Sequence, residues 1–194
     1  MPKVLLFHHV QGLTPGVTAF ADMLRAAGHT VYVPDLLDGR LFGSIPEGIA
    51  YVKSFGFQTI IERGMAAAAT LPQDLVYIGM SLGVMPAQSL AQTRPGALGA
   101  VLLHGAVTAN EFSPTWPRQV PVQFHAMDAD PEFVDSGDID AAREIVTQSG
   151  SGEMFLYPGN AHLFTDSSLS DFDAKSAELV NKRVLSFLDT LADR

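Results

Sequence analysis

Six short apolar runs separated by longer segments of helical periodicity constrain this chain more than any other feature. The runs are Val4 to His8, Thr30 to Val33, Leu75 to Met80, Ala97 to Leu103, Val120 to Ala126 and Glu153 to Tyr157. Each has the length of a strand, and near-continuous hydrophobicity without polar alternation belongs to strands covered on both faces. Between them lie helix candidates at Gly16 to Ala27, Glu47 to Ala69, Leu82 to Gln92, Ile139 to Gln148 and Asp171 to Leu191. Strand and helix in alternation predict an α/β fold, a mainly parallel six-stranded sheet with helices on both faces. In the last helix Ala177, Val180, Val184, Phe187, Leu188 and Leu191 share one face, which predicts packing on the sheet.

Turn residues fall where this reading needs them, with Gly28 after the first helix, Pro34-Asp35 after the second strand and Pro95-Gly96 before the fourth. Nothing in the chain repeats and no linker divides it, so its 194 residues are expected to form one domain over 1–194. Three irregular stretches, Leu36 to Pro46, Ala106 to Gln119 and Asn160 to Ser170, follow strand C-termini. Open α/β sheets bind ligands at that edge, so these loops are expected to shape a pocket.

Composition narrows the chemistry. A formal net charge of −9 with 12 scattered Lys and Arg argues against nucleic-acid and anionic-membrane partners, which are held by clustered cations. The absence of cysteine leaves oxygen or nitrogen as the only nucleophiles. No Gly-x-Gly-x-x-Gly follows the first strand and no P-loop occurs, so dinucleotide and phosphate-loop functions lack their loops. No apolar run approaches the roughly 18 residues of a membrane span, and Val4-Leu5-Leu6-Phe7 is too short for a signal h-region and has no small-residue cleavage site after it. The expected location is cytoplasmic.

Gly79-Met80-Ser81-Leu82-Gly83 joins the third strand to a helix, the context of a nucleophile elbow, where a serine sits on a tight turn with its hydroxyl lifted clear of the sheet. Ser81 is the candidate nucleophile. His162 is the candidate general base, because it alone of six histidines lies in a loop after the sixth strand. Imidazole, with an ordinary pKa of about 6.5, can take a serine proton near neutrality and return it to a leaving group. Asp128 and Asp130 both follow strand five and either could orient that imidazole; Pro131, which forces a sharp exit from the strand, favours Asp130. Asp135 and Asp138 read as caps for the Ile139 helix. An oxyanion hole would take the Leu82 amide, just after the nucleophile, and a second amide after strand one, Val10 first and Gln11 next.

His8-His9 is not a metal pair, since adjacent residues on a strand face opposite ways; one ring is expected in the core and the other in the pocket. His9, Gln11, His104 and Phe164 are candidate pocket residues, His125 reads as structural, and for Trp116, Phe112 and Phe164 core packing outweighs a role as an acyl wall. No metal or cofactor is expected.

These residues carry a resemblance to the dienelactone hydrolase family of α/β-hydrolases over nearly the whole chain. It rests on Leu5 to Gly12, on Val33-Pro34-Asp35-Leu36, on the Gly79 to Gly83 elbow, and on the tail from Tyr157-Pro158-Gly159 through His162 and Phe164. The resemblance implies strand order 2-1-3-4-5-6, no large lid, and a triad of Ser81, Asp130 and His162. It also implies hydrolysis of a small ester or lactone through an acyl-enzyme. Thioesters or peptides are alternatives on the same triad, and a non-catalytic small-ligand-binding module, with the elbow only architectural, is the reading from another class. Three positions depart from the family's characterised lactonases: Ser81 replaces a cysteine, His9 a glutamate and Asp166 a substrate-gripping arginine. Serine acyl transfer is therefore expected, on a substrate other than an anionic dienelactone. An exposed sheet edge leaves a homodimer open.

Overall fold

The computed structural model describes residues 1–192. Six parallel strands form one sheet in the order β2-β1-β3-β4-β5-β6: β1 Lys3–Phe7, β2 Thr30–Tyr32, β3 Leu75–Met80, β4 Gly99–Leu103, β5 Val122–Met127 and β6 Gly152–Tyr157. The helices are α1 Pro15–Ala26, α2 Ile45–Phe55, α3 Phe57–Ala69, α4 Val84–Thr93, α5 Pro131–Val134, α6 Asp138–Gln148 and α7 Ala174–Thr190. The predicted topology is the one observed.

Strand periodicity divides the core. On β1, Val4 and Leu6 join Val17 and Leu24 of α1 and Val180, Val184 and Leu188 of α7 on one face. Leu5 and Phe7 turn to the other face, against Val52 of α2, Ile60 of α3 and Leu90 of α4. Both sides of the central strands are thus dry, as their unbroken hydrophobicity requires. The six apolar positions picked out along the last helix are all buried.

One predicted helix is two. The Glu47 to Ala69 segment breaks at Gly56, whose φ of 93° lies in the left-handed region, so α2 and α3 meet at an angle. The break brings Ile49 and Phe57 to the same cavity. Helix entries are capped where the chain provides an acceptor: Thr14 for Val17 N–H, Ser44 for Glu47 N–H and Asp173 for Ser176 N–H. The caps expected at α6 are absent, because Gly137 takes the N-cap position and the Asp138 carboxylate reaches across to the loop after β4. Among the described residues no helix is long and apolar enough to cross a membrane.

Candidate active site

The turn after β3 is built by its two glycines. A Cβ on Gly79 would run into the Gly83 carbonyl, and one on Gly83 would run into the carbonyls of Phe7 and His8 at the end of β1. Glycine at both positions lets the turn fold on itself and lie against the neighbouring strand. Ser81, between them, has φ 48°, a left-handed conformation that a non-glycine residue adopts only when its surroundings enforce it. A short 3-10 turn, Ser81–Gly83, then runs into α4.

The chain turn at Asp130 places a second group. Asp130 caps α5, taking the Glu132 N–H on Oδ1. Its other oxygen, Oδ2, accepts from His162 Nδ1–H at 2.7 Å. The Asp130 side chain is fully buried. With its Nδ1 proton engaged, the imidazole has only its Nε2 lone pair free, and Ser81 Oγ lies 2.8 Å from that nitrogen. Asp128 is exposed and holds the Gly159 N–H instead.

These groups open on a cavity of about 250 Å³. Val10, Leu82, Ser81, His104 and His162 line it, with Ile45, Ile49, Phe57, Val84, Met85 and Val107 as the apolar wall. Two acidic residues, Glu132 and Asp138, also line it, and among the described residues no Lys or Arg does. Burial raises the Asp138 carboxyl above its ordinary value, while hydrogen bonds from the Ala106 amide and the Ser136 hydroxyl oppose the rise. Sequence reasoning missed Asp138, and also Ile49 and Phe57; an acidic residue at a helix start looks like a cap.

Of the four candidate pocket residues only His104 lines the cavity. Phe164 is fully buried and packs edge-on against the His104 ring, so its bulk supports the site from the core side. Gln11 points away, its side-chain amide on the Phe42 carbonyl. Neither His8 nor His9 enters the cavity. The two rings diverge, His8 to the Leu36 amide at 2.9 Å and His9 to Asp166 at 2.7 Å. Trp116 is buried and donates to the Val120 carbonyl. Among the described residues no group of three or more His, Asp or Glu could hold a metal ion.

The loop that carries His162 is fastened at two further points. His104 Nε2 lies 2.7 Å from Thr165 Oγ1. His104 is itself strained, with φ 64°, and its Nδ1 is the one buried side-chain polar atom lacking a partner among the described residues. Burial lowers its pKa well below the ordinary imidazole value, reinforced by the neighbouring His162, so the ring is neutral. Asp166 accepts from His9, Thr14 and Ser168. Burial pushes the Asp166 carboxyl up, but these donors win and hold it well below the usual carboxylate range.

A parallel sheet of order 2-1-3-4-5-6, with a serine on the strained turn after β3 and a histidine on the loop after β6, defines an α/β-hydrolase fold. The family can be stated more narrowly. The dienelactone hydrolase family model matches residues 1–192, and the chain belongs to that family. Among solved structures, it is similar to a dienelactone hydrolase-like promiscuous phosphotriesterase from metagenomic libraries, with 18% identity, 98% of this chain and 87% of that one covered, and a TM-score of 0.75. The dienelactone hydrolase of Anabaena variabilis gives 18% identity over 96% of this chain and 84% of its own, with a TM-score of 0.68. A thioesterase domain from the curacin biosynthetic pathway shares the fold at 17% identity, covering 95% of this chain and 90% of its own, with a TM-score of 0.63. No curated protein matches significantly. Family membership supports hydrolase activity of the ester and lactone type.

Proposed function

We propose that this protein is a serine hydrolase that cleaves a small carboxylic ester or lactone through an acyl-enzyme on Ser81. One observation carries the reading: Ser81 Oγ, His162 Nε2, His162 Nδ1 and Asp130 Oδ2 form a continuous hydrogen-bonded chain with links of 2.8 and 2.7 Å. Three residues 81 and 32 positions apart form that chain at the mouth of a largely apolar cavity. A structural serine has no need of it.

His162 Nε2 takes the Ser81 proton as Oγ bonds to the substrate carbonyl carbon, and Asp130 stabilises the imidazolium that results. The amides of Val10 and Leu82 receive the oxyanion. His162 returns the proton to the leaving oxygen, the C–O bond breaks, and water activated by the same imidazole releases the acid. The apolar wall suits a small acyl or alcohol group. Glu132 and Asp138, with no lysine or arginine beside them among the described residues, disfavour an anionic substrate. Cytoplasmic location and a homodimer belong to the same proposal.

Intact-mass analysis after exposure to a fluorophosphonate tests it. One adduct per chain is expected on the wild type and none on Ser81→Ala or His162→Ala. Turnover of a 4-nitrophenyl ester should fall about 10⁴-fold or more in both variants. Folded wild-type protein that takes no label between pH 6 and 9 would overturn the hydrolase reading in favour of a small-ligand-binding module.

A further inference from the structure

The segment after β1 holds two adjacent buried histidines that the proposed reaction does not use, and both bear on one peptide group. The amide proposed to receive the oxyanion belongs to the peptide joining His9 to Val10. In a trans peptide the carbonyl and N–H point in opposite directions, so whatever fixes the carbonyl also aims the N–H. The chain has no cis peptide among its described residues. The His9 carbonyl accepts two hydrogen bonds, from His8 Nδ1–H at 2.7 Å and from the Gly12 amide at 3.0 Å. The second closes a four-residue turn from His9 to Gly12, which the chain leaves through Gly12 at a left-handed φ of 98°.

Each imidazole is held in one tautomer by complementary partners. A carbonyl only accepts, so His8 carries its proton on Nδ1, and the Leu36 N–H donates to its Nε2 lone pair. A protonated His8 would present an N–H to that amide. Burial lowers the His8 pKa, and the ring stays neutral. His9 carries its proton on Nε2, donating to Asp166, while its Nδ1 accepts the Gln11 N–H at 3.2 Å. Asp166 stands four residues beyond His162 in the same loop. The peptide is therefore braced to the loop after β2 through His8 and to the loop of His162 through His9.

We infer that His8 and His9 are positioning residues that aim the Val10 amide at the developing oxyanion, with His8 acting directly on the peptide carbonyl. This rests on the hydrolase reading above. It assigns a use to the two histidines that neither line the cavity nor serve the core alone. An amide turned away from the oxyanion leaves substrate binding intact and weakens only the transition state, so the effect belongs in kcat and not in KM.

The test compares His8→Asn, whose side-chain amide can donate from about the Nδ1 position, with His8→Gln and His8→Phe, which cannot. Three readouts are needed: kcat and KM on a 4-nitrophenyl ester, inhibition by an alkyl trifluoromethyl ketone, and thermal melting. The ketone adds the serine oxygen to its carbonyl carbon and leaves an oxyanion in the hole, so its Ki reports the amide donors. His8→Gln and His8→Phe are expected to lower kcat and raise Ki in parallel, each about 10- to 100-fold, with KM changed less than threefold. His8→Asn should recover at least tenfold of that loss. If the phenylalanine variant fails to fold, the Asn and Gln pair carries the comparison. Equal kcat and Ki in Asn and Gln variants, or a loss confined to KM, would overturn the inference while leaving the hydrolase intact. A wild type without fluorophosphonate labelling or turnover would instead remove the reading on which the inference stands.

Discussion

Two aspartates two positions apart face different worlds. Asp130 is fully buried and bonded to His162, and its second oxygen caps α5. Asp128 is exposed and caps a turn. Asp130→Asn is therefore expected to lower kcat by about 10³- to 10⁴-fold, because an amide can present its N–H to Nδ1 and force the wrong tautomer. Asp128→Asn should change kcat less than twofold. Steady-state kinetics on one ester, with near-identical melting temperatures as the control, decides between them. The order Ser81, Asp130, His162 was legible in the sequence because each residue falls in the turn or loop that follows an apolar run, and strand ends in a parallel sheet share one edge. The partners of His8 and His9 were not legible. Leu36 and Asp166 lie 28 and 157 residues away, and no local pattern records that they meet.

At the scale of elements, every strand was legible from apolar runs and turn residues and the strand order from the family resemblance, whereas the division of Glu47 to Ala69 was not. Its helical periodicity passes through Gly56 without interruption, and a single left-handed glycine decides that the chain bends. This glycine and Gly83 make a contrasting pair. A Cβ at Gly56 would meet nothing within 4 Å, so Gly56→Ala carries only the backbone strain of a positive φ, about 1–3 kcal/mol. A Cβ at Gly83 would press on the carbonyls of Phe7 and His8, and Gly83 has an ordinary negative φ of −65°. Gly83→Ala is expected to cost about 1–3 kcal/mol through crowding and to disturb the elbow. Urea denaturation should show both losses, while the rate of fluorophosphonate labelling should fall only for Gly83→Ala. Equal labelling of the two variants would contradict the account of why the motif needs its second glycine.

For the molecule as a whole, buried neutral histidines couple stability to pH. His8, His104 and His125 all have pKa values lowered by burial, His125 to about 3. The unfolded chain titrates these side chains near 6.5, so below that pH it binds protons that the folded chain refuses, and stability falls as pH falls. Between pH 6.5 and 5 His125 alone is expected to remove about 2 kcal/mol. Asp166 works in a lower window. Its depressed pKa contributes stability that is complete above its unfolded value near 3.8 and lost on acidification through the folded value. Urea midpoints at pH 7 and 5 should therefore differ, and His125→Gln should narrow the difference; an unchanged difference would remove His125 as a contributor.

The elbow serine lies in the first half of the chain, and its proposed base is fastened to strand ends contributed by β4, β5 and β6. During synthesis the serine thus emerges long before the imidazole that would sharpen it. On the proposed mechanism, a nascent or truncated chain ending before Gly152 would carry an unactivated alcohol. Reactivity would then await completion of the sheet, which would make labelling by a fluorophosphonate a readout of finished folding as well as of chemistry.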